Sequence, residues 1–128
     1  MAKHVFMSFD YDHDSDLPIM LAGQAKLSDS PFDLVDKSLK EPYVGDWKAK
    51  IRPRISKCDL MIVICGTQTH TAVGVSHEIE IARELDIPYF LLKGRTDKTC
   101  TKPTAANASD KIYTWSWPNL KSLVGGDR

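Results

Sequence analysis

Short apolar runs alternate with amphipathic or polar stretches along the chain. The runs predict five β-strands, at residues 4–9, 32–37, 60–65, 88–93 and 112–117. The stretches between and after them predict helices at residues 16–25, 46–57, 75–85 and 119–124. Strands that alternate with helices predict parallel pairing through right-handed crossovers. The pattern therefore predicts an α/β, flavodoxin-like three-layer sandwich around a central parallel five-stranded sheet.

Composition narrows the class of protein. The chain has 128 residues, 42% of them hydrophobic, which fits one globular domain over residues 1–128. Seventeen basic and seventeen acidic residues cancel, so we expect neither nucleic acid nor an anionic membrane as a partner. Three cysteines without close pairing indicate reduced thiols, a cytoplasmic location and no zinc site. The longest apolar run is far too short to span a bilayer.

The end of the first strand carries the polar chemistry. A carboxylate, a phenol and an imidazole follow it within residues 10–14, at the edge where open α/β sheets bind ligands. No glycine fingerprint or phosphate loop is present there, which disfavours ordinary dinucleotide and ATP binding. Asp10 and Asp12 suit a phosphoacceptor receiver domain with a magnesium site. However, the third strand ends in Cys65 and Gly66, without an aspartate to be phosphorylated.

Three segments of the chain resemble the TIR domain: residues 5–10 (VFMSFD), 58–64 (CDLMIVI) and 76–82 (SHEIEIA). More specifically, the chain is similar to the small bacterial and archaeal TIR-like domains that include the TIR component of Thoeris anti-phage defence. Further segments carry that similarity at residues 30–32 (SPF), 41–47 (EPYVGDW), 67–71 (TQTHT) and 97–103 (DKTCTKP). The resemblance covers nearly the whole chain.

The resemblance implies an enzyme that cleaves the nicotinamide glycosidic bond of NAD with one glutamate. In the Thoeris group the product is a cyclic ADP-ribose type signal that activates a separate effector, and NAD is substrate rather than cofactor. TIR enzymes also associate with other TIR domains to complete the site. The family's glutamate is followed four residues later by alanine, and Glu78 with Ala82 meets that pattern. The tryptophan-cysteine pair that precedes this glutamate in larger TIR domains is absent.

Helical geometry points to the same glutamate. Val75, Ile79, Ala82 and Leu85 form one apolar stripe, and Glu78 falls roughly 45° from its centre, so we expect it to be half buried. Such a carboxylate at the edge of the core can stabilise an oxocarbenium-like transition state. The alternative is a favourable charge near the N-terminus of its helix. Two further glutamates of the helix fall on the opposite, solvated side, at positions 80 and 84.

Other site residues follow from the resemblance and from the sheet edge. The first loop of the family implies a pocket role for Phe9, Asp10 and Tyr11, by stacking and by holding a ribose hydroxyl. The loop after the second strand implies a pocket role for Gly45, Asp46 and Trp47, with core packing as the alternative for the tryptophan. Thr69 and His70 follow the third strand at the same edge. His70 is a candidate for binding a diphosphate or carboxamide, or else an ordinary exposed histidine.

Four further expectations concern local structure and the class of function. Asp14 and Asp16 are expected to cap the following helix or to supply first-turn charges. Pro53 should kink or break its helix. The polar loop at residues 96–109 is long enough to suggest a function, with simple mobility as the alternative. Against the enzyme stands a noncatalytic TIR adaptor that acts by protein association, for which Glu78 would be dispensable.

Overall fold

The core of the molecule is a parallel β-sheet in the computed structural model, which describes residues 3–14, 16–36 and 47–126. The strands are β1 (Lys3–Phe9), β2 (Phe32–Asp36), β3 (Leu60–Cys65), β4 (Tyr89–Lys93) and β5 (Ile112–Thr114). They pair in the order β2-β1-β3-β4-β5, and every pair is parallel. This is the strand order of flavodoxin-like sheets, so the predicted fold class is confirmed.

Helices connect the strands. Within the described residues they are α1 (Tyr11–Asp14), α2 (Leu17–Ala25), α3 (Trp47–Ser56), α4 (Val73–Glu84) and α5 (Trp117–Gly125), with a 3₁₀ turn at Thr69–Thr71. The hydrophobic pattern predicts α2 to α5 but neither α1 nor the 3₁₀ turn, because one turn is too short to show a helical period. No helix within the described ranges is long and apolar enough to cross a membrane.

Side chains of the strands alternate between two buried clusters, one on each face of the sheet. Val5 and Met7 pack in the cluster that includes Leu21 of α2 and residues of α5. Phe6 points the other way and packs in the cluster that includes Ile79 of α4 and residues of α3. Full burial of each large apolar side chain contributes roughly 1.5–3 kcal/mol. Helices on both faces of the sheet therefore give the three-layer sandwich that the sequence predicts.

The last strand and helix divide differently from the prediction. β5 ends at Thr114 rather than at residue 117, and α5 begins at Trp117 rather than at residue 119. Ser116 is the N-cap, and its hydroxyl accepts a hydrogen bond from the backbone N–H of Asn119 at 3.3 Å. Pro118 lies in the first turn, where its missing N–H leaves no intrahelical bond unmade. The cap therefore starts the helix earlier than the periodicity suggests.

Pro53 does not break α3, so of the two predicted effects, a kink or a break, the break is wrong and the kink stays a prediction. The helix runs through it to Ser56. The proline lies only three residues before the end, and the Ser56 hydroxyl donates to the Pro53 carbonyl oxygen at 2.7 Å. This side-chain hydrogen bond lies in the last turn of the helix, where carbonyl groups run out of backbone donors.

Gly94 allows the chain after β4 to approach its neighbours closely. A Cβ atom there would lie 2.5 Å from Leu17, 2.8 Å from Ile64 and 3.0 Å from the backbone oxygen of Cys65. We expect Gly94→Ala to lower the free energy of unfolding by about 1–3 kcal/mol through overpacking. Gly23→Ala is the matched control in α2, where nothing lies within 4 Å, and should raise stability by up to about 1 kcal/mol. Urea denaturation measures both, and equal effects would contradict this packing.

The cysteines should differ in reactivity. Burial raises the pKa of the Cys65 thiol to about 12, so the thiolate is about one part in ten thousand at pH 8. Cys65 and Cys58 are buried, whereas Cys100 is partly exposed. We expect an aromatic disulfide reagent at pH 8 to modify Cys100 in the native protein and the other two thiols only after unfolding. Mass spectrometry of labelled peptides checks this, and early labelling of Cys65 would contradict it.

Candidate functional site

Glu78 lies on the side of α4 that faces the sheet. It is 2% exposed, and the hydroxyl of Ser8 donates a hydrogen bond to its Oε1 atom at 2.7 Å. Ser8 is the second-last residue of β1 and pairs in register with Val63 of β3. The carboxylate is therefore held beside the carboxyl ends of these two central strands. In this strand order the chain leaves β1 and β3 toward opposite sides, and ligands bind in the crevice between them.

The apolar stripe of α4 explains how a carboxylate reaches this depth. Val75, Ile79 and Ala82 are buried against the sheet, as predicted, and Glu78 is carried inward with them. The prediction of half burial is wrong, because Glu78 is almost fully enclosed. A buried carboxylate requires a hydrogen-bond donor, and the strand supplies one in the Ser8 hydroxyl. Glu80 is 55% exposed, as predicted for the opposite side of the helix.

Ser8 is a site residue that the sequence analysis missed. A signal for it exists in the alternation of β1, since Ser8 shares a face with Phe6 and is the one polar residue within an otherwise apolar stretch from Val5 to Phe9. A polar group in such a position is expected to have a specific partner. The identity of that partner depends on a contact across 70 residues of sequence.

The first loop places its two described candidates differently. Phe9 is 6% exposed and packs in the cluster on the α2 side of the sheet, which is the face opposite to Ser8. Its observed role is core packing, and stacking on a ligand stays a prediction. Asp10 is 5% exposed, and its Oδ2 atom lies 2.7 Å from Nδ1 of His13. The histidine orients this carboxylate at the carboxyl end of β1.

Several predicted site residues lie wholly or partly outside the described part of the chain. Gly45 and Asp46 fall outside the described residues. Tyr11 and Trp47 are the first residues of α1 and α3, and the structure describes their backbones but not their side chains. Their assignment to substrate binding stays a prediction.

Thr69 and His70 lie in the 3₁₀ turn after β3. Thr69 is fully buried, and its Oγ1 atom accepts a hydrogen bond from the backbone N–H of Gly66 at 2.7 Å, so it shapes the turn. His70 is exposed. Both its backbone N and its Nδ1 atom lie 3.0 Å from Oγ1 of Thr101. The His70 imidazole is thus held by a hydrogen bond to the loop that follows β4.

The polar loop at residues 96–109 is held to the rest of the molecule by hydrogen bonds, which argues against simple mobility. The backbone N–H of Thr101 donates to the oxygen of Gly66 at 2.9 Å, and the N–H of Ala105 donates to Oγ of Ser76 at 3.1 Å. Arg83 of α4 also donates to the Ala105 carbonyl oxygen. The loop therefore covers part of α4, the helix that carries the candidate glutamate.

Asp14 and Asp16 do not cap α2 with their side chains, contrary to the prediction. Asp16 occupies the N-cap position but makes no cap hydrogen bond, and Asp14 is 1% exposed within α1. Both carboxylates bind Arg95 instead. Burial raises the pKa of Asp14 despite the guanidinium beside it, whereas the hydrogen bond from Arg95 lowers the pKa of the exposed Asp16. A guanidinium out-competes the backbone N–H groups because its hydrogen bonds are charge-assisted.

Removal of the Ser8 hydroxyl tests the contact to Glu78. We expect Ser8→Ala to lower the free energy of unfolding by about 1–3 kcal/mol, because a buried carboxylate loses a donor. Glu78→Gln and the double variant complete a mutant cycle in urea denaturation. The two losses should be less than additive, since Ser8→Ala removes the donor of this hydrogen bond and Glu78→Gln replaces its charged acceptor by a neutral amide oxygen, which is a weaker partner. Strictly additive losses would show that the two side chains do not interact.

Comparison with known proteins identifies the fold's relatives. A family model described as Thoeris protein ThsB, TIR-like domain, matches residues 6–99. This range begins within β1 and contains the whole of β3 and β4 and the helix α4 with Glu78. No curated protein matches the chain.

Proposed function

Since the chain belongs to the TIR-like domain family of the defence-related Thoeris protein ThsB, we propose that it is an NAD-processing enzyme of anti-phage defence. It cleaves the nicotinamide glycosidic bond of NAD and releases a cyclic ADP-ribose type signal in the cytoplasm. The signal activates a separate effector protein. NAD is the substrate, and the reaction uses no further cofactor.

The observation that carries this proposal is the enclosed carboxylate of Glu78 at the carboxyl edge of β1. Its Oε1 atom has a fixed direction because Ser8 donates to it. In the reaction the bond between the ribose C1′ and the nicotinamide nitrogen breaks, and its electron pair leaves with neutral nicotinamide. The carboxylate stabilises the positive charge that develops on the ribose, as carboxylates do in glycosidases. A nucleophilic atom of the ADP-ribose itself then forms the new bond to C1′ that closes the ring, and the proton released on attack passes to solvent.

The remaining proposed contacts surround this carboxylate. We assign Asp10 to a ribose hydroxyl, supported by its position directly after β1 and its orientation by His13. His70 is assigned to the diphosphate or carboxamide, supported by its exposure at the end of β3 and by its contact with Thr101. The assignment to substrate binding extends to further residues near the same edge: Phe9, Tyr11, Gly45, Asp46, Trp47 and Thr69.

One observation supports protein association, on which the alternative function depends: a noncatalytic TIR adaptor or scaffold that associates with other TIR domains or with an effector. Helix α2 contains no charged residue, and it exposes Ile19 by 73% and Met20 by 60%. Adjacent exposed apolar side chains of this size are typical of interaction sites. The same surface would also suit an enzyme, because the resemblance implies that TIR enzymes associate with one another to complete their site. Self-association therefore does not separate the two functions, whereas turnover does.

The decisive comparison is between Glu78→Gln and Glu80→Gln, two isosteric changes on one helix. Glu78→Gln should reduce nicotinamide release from NAD by about 100-fold or more, because the amide cannot stabilise developing positive charge. Glu80 is exposed, so its variant should retain wild-type turnover. The assay uses high protein concentration, with and without extract of phage-infected cells, and mass spectrometry resolves the products.

Two results would contradict different parts of the proposal, the role of Glu78 and the enzymatic activity. Full turnover by the Glu78→Gln variant would remove this carboxylate from the mechanism. Absence of turnover by the wild type in every condition, with the protein folded and self-associated, would favour the adaptor. Thermal denaturation and sedimentation of each variant provide the folding and association controls.

A further inference from the structure

Arg95 connects two loops at the carboxyl edge of the sheet. It lies two residues after the end of β4, and its guanidinium binds residues that follow β1. The Nη2 and Nη1 atoms donate to the two carboxylate oxygens of Asp16 at 2.8 Å and 3.2 Å. The Nε atom donates to Oδ1 of Asp14 at 3.2 Å, and Nη2 also donates to the backbone oxygen of His13 at 3.1 Å.

These contacts indicate that Arg95 has a structural role rather than a direct contact with substrate. A guanidinium has five N–H donors in a planar fork. The contacts to Asp14, Asp16 and His13 engage all three guanidinium nitrogen atoms of Arg95. The bidentate geometry on Asp16 is one that a lysine cannot reproduce. Arg95 is thus suited to hold a loop rather than to bind a ligand.

The loop that Arg95 holds contains the first candidate residues for substrate binding. The backbone N–H of Asp14 donates to the oxygen of Asp10 at 2.8 Å, so the single turn of α1 links the two residues. His13 orients the Asp10 carboxylate from the same turn. A shift of Asp14 would therefore move Asp10 with it.

The Asp14 carboxylate also contacts the chain after β3. A Cβ atom on Gly66 would lie 2.1 Å from Oδ2 of Asp14, so only a glycine leaves room for the carboxylate. The segments that follow β1, β3 and β4 consequently meet around one buried carboxylate and one guanidinium. Removal of the guanidinium would leave the Asp14 charge buried and without its partner cation.

We propose that Arg95 is a positioning residue that fixes the loop after β1, and with it Asp10, relative to Glu78. The part of this inference that concerns substrate rests on the proposed NAD-cleaving function. Glu78 is held independently by Ser8 and by the packing of α4. Loss of the Arg95 contacts should therefore weaken substrate binding while leaving the chemical step intact.

The experiment uses two mild variants, since complete removal of Arg95 risks unfolding. Arg95→Lys keeps the positive charge but loses the fork, and Asp16→Asn changes only the exposed partner. Arg52→Lys is the matched control, because Arg52 makes an exposed ion pair with Glu84, on the outer side of α4. Steady-state kinetics of NAD cleavage and amide hydrogen exchange of residues 10–14 are measured for each protein.

We expect Arg95→Lys and Asp16→Asn each to raise KM for NAD roughly tenfold, because small misplacements of binding groups are costly. Their kcat should stay within about twofold of the wild-type value, in contrast to Glu78→Gln. Exchange at residues 10–14 should be faster while β3 keeps its protection. Arg52→Lys should change none of these quantities.

An unchanged KM in both variants, or a fall in kcat at unchanged KM, would overturn the inference. If the wild type shows no NAD cleavage, the proposed function fails and the exchange measurement alone decides the role of Arg95. Unchanged exchange at residues 10–14 in both variants would then overturn it.

Discussion

A carboxylate removed from water must be given a donor, and this requirement shapes the centre of the molecule. Glu78 is 2% exposed, and the hydroxyl of Ser8 meets it from β1. An unpaired buried charge costs several kcal/mol, so β1 and α4 are held in one relative position by this contact as well as by apolar packing. The same contact fixes the direction of the carboxylate. This hydrogen bond thus contributes both to the packing of α4 against β1 and to the proposed chemistry.

The edge of the sheet is organised by polar contacts, whereas its interior is organised by apolar ones. Two apolar clusters fix the strands and helices on either face. At the carboxyl edge, Arg95 binds the segment after β1, and Thr101 binds the turn that carries His70. Arg83 of α4 donates a hydrogen bond to Ala105, in the same polar loop as Thr101. Charge-assisted and backbone hydrogen bonds thus help to keep the side chains of these surface loops in place.

The order of strands and helices along the chain could be predicted from sequence because short apolar runs alternate with amphipathic or polar stretches. The helical stripe also indicates the inward direction of Glu78. Ser8 could not be paired with Glu78 in this way, since the contact joins residues 70 positions apart.

Other features of the structure could not be predicted from local sequence patterns, each for its own reason. The binding of Asp14 to Arg95 links residues 81 positions apart, and an aspartate before a helix locally favours a cap. The depth of Glu78 was underestimated because angular position on a helix does not report what covers it. α1 is a single turn without a period. The proposed catalytic role of Glu78 comes from the resemblance to TIR domains and cannot be derived from periodicity.

The most direct test of the proposed site is a crystal structure of the Glu78→Gln variant with NAD bound. The proposed function predicts the nicotinamide ribose at the carboxyl edge of β1, with its C1′ atom within about 3.5 Å of the side chain of residue 78. Asp10 should contact a ribose hydroxyl. NAD bound elsewhere on the molecule, or with its nicotinamide ribose directed away from residue 78, would contradict the assignment of Glu78 as the catalytic carboxylate.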